Sequence, residues 1–125
     1  MPEERITTTR DYEGARVIDI NIGKLIEDED IQQFGNEIFS YLTPSSQDYD
    51  PAVDYCINFK RVEFLSAAAL GKLITMDKKH KGARDNHLSL AEVKPEVYGY
   101  FEITKLNRLF TIYPTVNDFL ANRAT

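Results

Sequence analysis

The stretch Val62-Glu63-Phe64-Leu65-Ser66-Ala67-Ala68-Ala69-Leu70-Gly71 decides the reading of this chain. It follows an apolar run, Tyr55-Cys56-Ile57-Asn58-Phe59, and passes through three alanines into a helical pattern with Leu70, Leu73 and Ile74 on one side. A strand therefore turns sharply into a helix whose first turn carries almost no side chain. Small residues there leave backbone N–H groups exposed at the positive end of a helix. Such a surface can receive another chain's backbone, an anion or a modified side chain.

Outward from this turn, the chain alternates strand and helix. Ile6–Tyr12 and Arg16–Ile22 are rich in β-branched residues and flank Glu13-Gly14, which predicts an opening hairpin. A helix starting at Asp28 or Asp30 and ending at Leu42 places Ile31, Phe34, Ile38 and Leu42 on one stripe, with acids at its positive end. Thr43–Pro51 reads as a loop. Ala52–Phe59 is a mostly apolar strand expected to be buried on both faces. Ser66 to Lys81 is the second helix, with Gly82 as its C-terminal cap. Leu88–Val93, a helix entered through Lys94-Pro95-Glu96 and ending near Thr104, a strand Leu109–Tyr113 and a helix Val116–Asn122 complete the chain.

The order β-β-α-β-α-β-α-β-α predicts an α/β fold, a mixed sheet of about five strands carrying four helices. The strand ending near Phe59 should lie centrally. The turn after it then faces solvent at a carboxyl end of the sheet, where α/β sites usually lie. A length of 125 residues suits one domain over 1–125, with residues 1–5 loose at its start.

Composition narrows the function. An apolar fraction of 42% and a charged fraction of 28% are those of an ordinary globular protein. The formal net charge of −5 argues against a nucleic-acid surface, which needs a basic face. Lys78-Lys79-His80-Lys81 with Arg84 runs against that trend and reads as a solvated helix C-terminus, where the dipole favours cations. The single cysteine, Cys56, falls in an apolar run and is expected to pack as a small hydrophobe. No apolar leader and no run long enough to span a membrane are visible, so a cytoplasmic location is expected.

Catalytic sets are sparse. His80 and His87 flank a loop and read as surface residues, too few for a metal site. Ser66 stands where a nucleophile could. It lacks a Gly-x-Ser-x-Gly elbow and an assignable histidine base, so it reads as a helix N-cap. No glycine-rich phosphate loop and no calcium-loop spacing occur. The expectation is a protein that is not an enzyme and needs no metal or cofactor. Phe34, Phe39, Phe101 and Phe110 fall at core spacing.

From about Ile6 to Ala121 the chain resembles a STAS domain, the family of bacterial anti-sigma factor antagonists. Val62–Gly71 is similar to the family's strand-to-helix signature, usually Val-Asp-Phe-Ile-Asp-Ser-Ser-Gly-Leu-Gly. Leu106-Asn107-Arg108-Leu109-Phe110-Thr111-Ile112-Tyr113 resembles the family's Leu-Asp-Arg-Leu-Phe-x-Ile-Tyr segment, and Val93-Lys94-Pro95-Glu96-Val97 its Val-x-Pro-x-Val helix entry.

The resemblance implies a protein-binding module in signal transduction and transcription regulation. Its implied partner is an anti-sigma factor that is also a histidine-kinase-like ATPase and phosphorylates the signature's first serine. A phosphate there adds roughly −1.5 to −2 charges to a contact surface. This chain departs from the pattern where it matters. Ser66 stands for the usual aspartate, and Ala67 for the phosphoacceptor. Ala68 and Ala69 replace the following serine and glycine. Ala67 has no hydroxyl to modify. Ser66 is a weaker acceptor candidate, displaced by one position, or about 100° around a helix axis.

The implied contact residues are Leu65, Ser66, Ala67, Ala68 and Lys72, with Asn21 and Lys24 from the loop after the second strand. Ala67 and Ala68, with Leu70 behind them, are expected to form a flat apolar patch. Two alternatives stay open. One is a structural subunit of a larger stress-signalling or lipid-transport assembly. The other is small-molecule or nucleotide binding at the helix end.

Overall fold

A computed structural model of the chain describes residues 5–42, 49, 53–83 and 88–122. Strands β1 (Thr7–Tyr12) and β2 (Ala15–Ile20) pair antiparallel, Tyr12 opposite Ala15. Gly14 closes their turn at φ 74°, a left-handed conformation that costs a residue with a Cβ far more. A two-residue strand β3 (Lys24–Leu25) precedes helix α1 (Asp28–Leu42), whose first turn holds Asp28, Glu29 and Asp30 against the helix dipole. Strand β4 (Asp54–Asn58), strand β5 (Phe64–Leu65) and helix α2 (Ala67–Ala83) follow. The chain then forms β6 (Ser89–Ala91), α3 (Pro95–Ile103), a 3-10 turn at Leu106–Arg108, β7 (Thr111–Tyr113) and α4 (Val116–Asn122).

The main sheet has the order β1-β2-β4-β6-β7, antiparallel only between β1 and β2. The expected mixed sheet of five strands with four helices is therefore present, with β4 at its centre. Alternation along the strands gives each face its own core. Ile18, Ile57 and Leu90 point to one face, where Phe34 and Ile38 of α1, Leu73 and Met76 of α2, and Phe101 of α3 cover them. Their neighbours Val17, Cys56 and Ala91 point to the other face and cluster with Val116 and Phe119 of α4, with Leu120 and Tyr113 packed against them. Small side chains on that second face let a short helix lie close.

Buried polar groups stitch the layers together. The carboxylate of Glu37 in α1 accepts the N–H groups of Ile6 (3.1 Å) and Thr7 (2.9 Å), the Thr7 hydroxyl and the Gln33 amide (2.8 Å). This satisfies a carboxylate only 6% exposed and ties the start of β1 to α1. Asp77 of α2 accepts from Leu88 N at 2.7 Å and fixes the entry to β6. At Gly35 of α1, a Cβ would lie 2.7 Å from Lys72 Cδ, so glycine lets the Lys72 stem lie against that helix.

Several expectations need correction. Gly82 does not cap α2, which continues to Ala83. His80 is not a surface residue: it is 2% exposed and meets the Tyr55 ring edge-on at 5.7 Å. The expected basic stretch is thus interrupted by a buried ring, and Lys79 lies over Phe39 instead. Phe39 is 38% exposed, so it is not a core residue like Phe34. The strand expected at Leu88–Val93 ends at Ala91 because Glu92 takes φ 57°. The last strand starts at Thr111, after the 3-10 turn. Residues 43–48, His87 and Arg84 lie outside the described residues.

Candidate protein-docking site

The site is assembled by a ladder too short to leave a periodic signal. Lys24 and Leu25 pair parallel with Phe64 and Leu65. Gly23 O accepts from both Glu63 N (2.7 Å) and Phe64 N (3.1 Å), and Leu25 O accepts from Ser66 N (3.0 Å). These bonds hold the segment after β4 against the segment before α1. Alternation then sorts the side chains. Leu25 and Leu65 turn into the core, whereas Lys24, Ile26 and Phe64 face outward. Phe64 is 49% and Ile26 46% exposed, and Lys24 Nζ stands 5.5 Å from the Phe64 ring centroid.

Ser66 then caps α2. Its Oγ accepts from Ala69 N at 3.2 Å and its carbonyl from Leu70 N at 3.1 Å. The expected N-cap is present, and it precedes the first helical residue, Ala67. The N–H groups of Ala67 and Ala68 have no acceptor among the described residues. Both alanines are exposed, whereas Ala69 and Leu70 are buried under the core. The result is a hydroxyl-free first turn beside an aromatic–lysine shelf.

Not all expected contact residues belong to this face. Leu65 is 7% exposed and offers its backbone rather than its side chain. Lys72 is half-buried by its contact with Gly35. Asn21 donates to Thr8 Oγ1 at 3.0 Å and lines a polar groove with Asp19, Asn58 and Lys60. Leu70 turns inward, so it backs the patch from beneath rather than extending it. Phe64 and Ile26 escaped the sequence reading. Their only signal was the single alternation around Leu65 and Leu25.

The Cys56 thiol is fully buried, and burial pushes its pKa far above the ordinary thiol range. His80 is in the core, edge-on to Tyr55. No group of three or more His, Cys, Asp or Glu that could hold a metal occurs among the described residues. No helix among them is long and apolar enough to cross a membrane.

The comparisons agree with this architecture. The STAS domain family matches residues 13–119. An anti-sigma-factor antagonist (STAS) domain protein from Planctomyces limnophilus superposes with a TM-score of 0.78 at 17% identity, over 94% of this chain and 97% of that one. An anti-sigma factor antagonist from Mycobacterium paratuberculosis gives 0.75 at 23%, over 92% and 90%. SpoIIAA, an anti-sigma factor antagonist in its unphosphorylated form, gives 0.69 at 16%, over 91% and 92%. At such identities the likeness is one of fold. No curated protein matches in sequence. With the family match spanning most of the strands and helices described above, this chain belongs to the STAS domain family.

Proposed function

We propose that this chain is a non-catalytic regulatory module that binds a protein partner of the anti-sigma factor or histidine-kinase-like ATPase class, and does so without phosphoryl control at the helix mouth. The observation that carries this reading is the exposed pair Ala67-Ala68 at the start of α2, beside the Lys24–Phe64 shelf. Relatives of the same fold are named as anti-sigma factor antagonists, which supports the partner class. Ala67 has no oxygen to accept a phosphoryl group. The Ser66 hydroxyl is half-buried and already holds Ala69 N. A phosphate on Ser66 would have to break that cap.

The test is titration calorimetry of the chain against an ATPase of that class encoded beside it. Binding is expected, and Ala67→Glu should weaken it by at least about tenfold, since a carboxylate is then desolvated in the contact. Equal affinity for both proteins would remove this surface from consideration. Incubation with the same ATPase and ATP should leave Ser66 unmodified by mass spectrometry; a phosphopeptide there would sink the claim of lost control. The missing hydroxyl at Ala67 equally suits a permanent subunit of a larger assembly. A complex that stays together through size-exclusion chromatography at nanomolar dilution would favour that second reading.

A further inference from the structure

We propose that a second surface, on the α4 side of the sheet at the carboxyl ends of β2 and β4, binds the compact oxyanion group of a small molecule, a phosphate or a carboxylate. The surface is a groove of about 360 Å³, within the range of small-ligand sites. A second hollow of about 330 Å³ adjoins it and shares Arg10, Asn58 and Lys60.

Its floor is fixed. Asp19 accepts from Arg10 Nε (2.7 Å) and Nη2 (2.9 Å), and from Asn58 Nδ2 (2.7 Å). The Asp19 carboxylate, hydrogen-bonded to Arg10, raises the guanidinium pKa further. Asn58 is only 8% exposed, and its Oδ1 accepts from Lys60 N at 3.1 Å. The backbone leaving β4 is therefore set in a defined position over the floor. The remaining Asn58 amide hydrogen has no acceptor among the described residues.

The walls are cationic. Lys60 and Arg61 are exposed, and neither side chain makes a hydrogen bond or ion pair among the described residues. Across the groove and the adjoining hollow, three cations, Arg10, Lys60 and Arg61, face two carboxylates: Asp19, which is paired with Arg10, and Glu92, which accepts the Val116 N–H at 2.9 Å. The local charge is positive although the whole chain carries −5. The lining is mainly polar, which disfavours an apolar occupant. An arginine, an ammonium and two side-chain amides, Asn21 and Asn58, match the oxygens of a phosphoryl or carboxylate group through charge-assisted hydrogen bonds. Exposed lysines and arginines alone are ordinary. What distinguishes this pair is the hydrogen-bonded floor beside them, in which the buried Asn58 and the partly buried Asp19 hold an Arg10 side chain that is itself 44% exposed.

The test is amide NMR of the whole chain titrated separately with inorganic phosphate, citrate, glucose 6-phosphate and glucose. Saturable shifts at Asn58, Lys60 and Arg61 are expected with at least one of the three anions and not with glucose. The double variant Lys60→Ala/Arg61→Ala, and separately the charge-reversed Arg61→Glu, should weaken that binding by at least about tenfold with an otherwise unchanged spectrum. Phosphate or glucose 6-phosphate acting alone would assign a phosphoryl ligand; citrate acting alone would assign a carboxylate. The idea is overturned if no anion saturates by about 20 mM, if glucose binds equally, or if the variants bind as tightly. The groove shares no variant with the docking surface, so its failure would leave the partner reading intact, and the reverse.

Discussion

Two surfaces meet at the carboxyl end of the parallel strands, one on each side of the segment leaving β4, and they are built on opposite principles. One carries Ala67, Ala68, Phe64 and Ile26, apolar groups laid open by a two-residue ladder. The other carries Arg10, Asp19 and Asn58, polar groups locked together on the less covered face of the sheet. The first offers exposed apolar groups with Lys24 laid over Phe64. The second is concave and offers directed hydrogen bonds with little apolar area. Residues 59–66 thus divide the end of the sheet between an exposed apolar face, proposed for a protein partner, and a polar concave face, proposed for an anion.

Substitutions in each region test this division. The largest expected effect lies beneath the first surface. Phe101 is fully buried and packs edge-on against Phe59 and Phe110, so Phe101→Ala should cost about 3–5 kcal/mol in urea unfolding. A cost below about 1 kcal/mol would mean that the three-helix face is not the principal core. The floor of the groove comes next. Asp19→Ala leaves the buried Asn58 donor without its acceptor and should cost about 2 kcal/mol, measured in the same way. No loss would show that the polar network is incidental.

The α4 face also predicts a pH dependence. The Cys56 pKa is raised in the folded state, so the folded thiol stays neutral while the unfolded one ionises above about 8.5. The unfolded state then binds fewer protons, and stability should fall by up to about 1.4 kcal/mol per pH unit beyond that point. This contribution is complete below the unfolded value, and Cys56→Ala should lack the slope. An identical alkaline profile for both proteins would contradict it.

Smaller effects belong to the docking surface. Ser66→Ala removes the cap on α2 and should cost about 1 kcal/mol in thermal or urea unfolding. Ala67→Glu should change stability by no more than about 0.5 kcal/mol, because the side chain stands in solvent. A larger loss would show that the first turn of α2 is structurally engaged rather than open for a partner.

Much of the fold was legible. Long periodic segments such as 28–42 and 67–81 announce themselves because one face must be buried. The strand centred on Ile57 reads as apolar because β2 and β6 flank it. Short features were not legible. The β3–β5 ladder has two residues on each side, too few for a period. His80 looked like part of a charged stretch, yet the helix turns it inward onto Tyr55. Gly82 looked like a cap, yet α2 runs on to Ala83. Of the candidate site, Ser66 as N-cap could be read from residue type and position. The outward turn of Phe64 and the inward turn of Leu65 depend on strands from elsewhere in the chain.

The sequence by itself determined the order of the five main-sheet strands and four helices and the loss of a hydroxyl at position 67, because both are local: one follows from hydrophobic period, the other from side-chain chemistry. Only the tertiary structure decided which of residues 62–72 meet solvent, and that Arg10, Asp19 and Asn58 share one floor. Those outcomes depend on pairing between strands far apart in the chain, and no local pattern records which partner a strand will find.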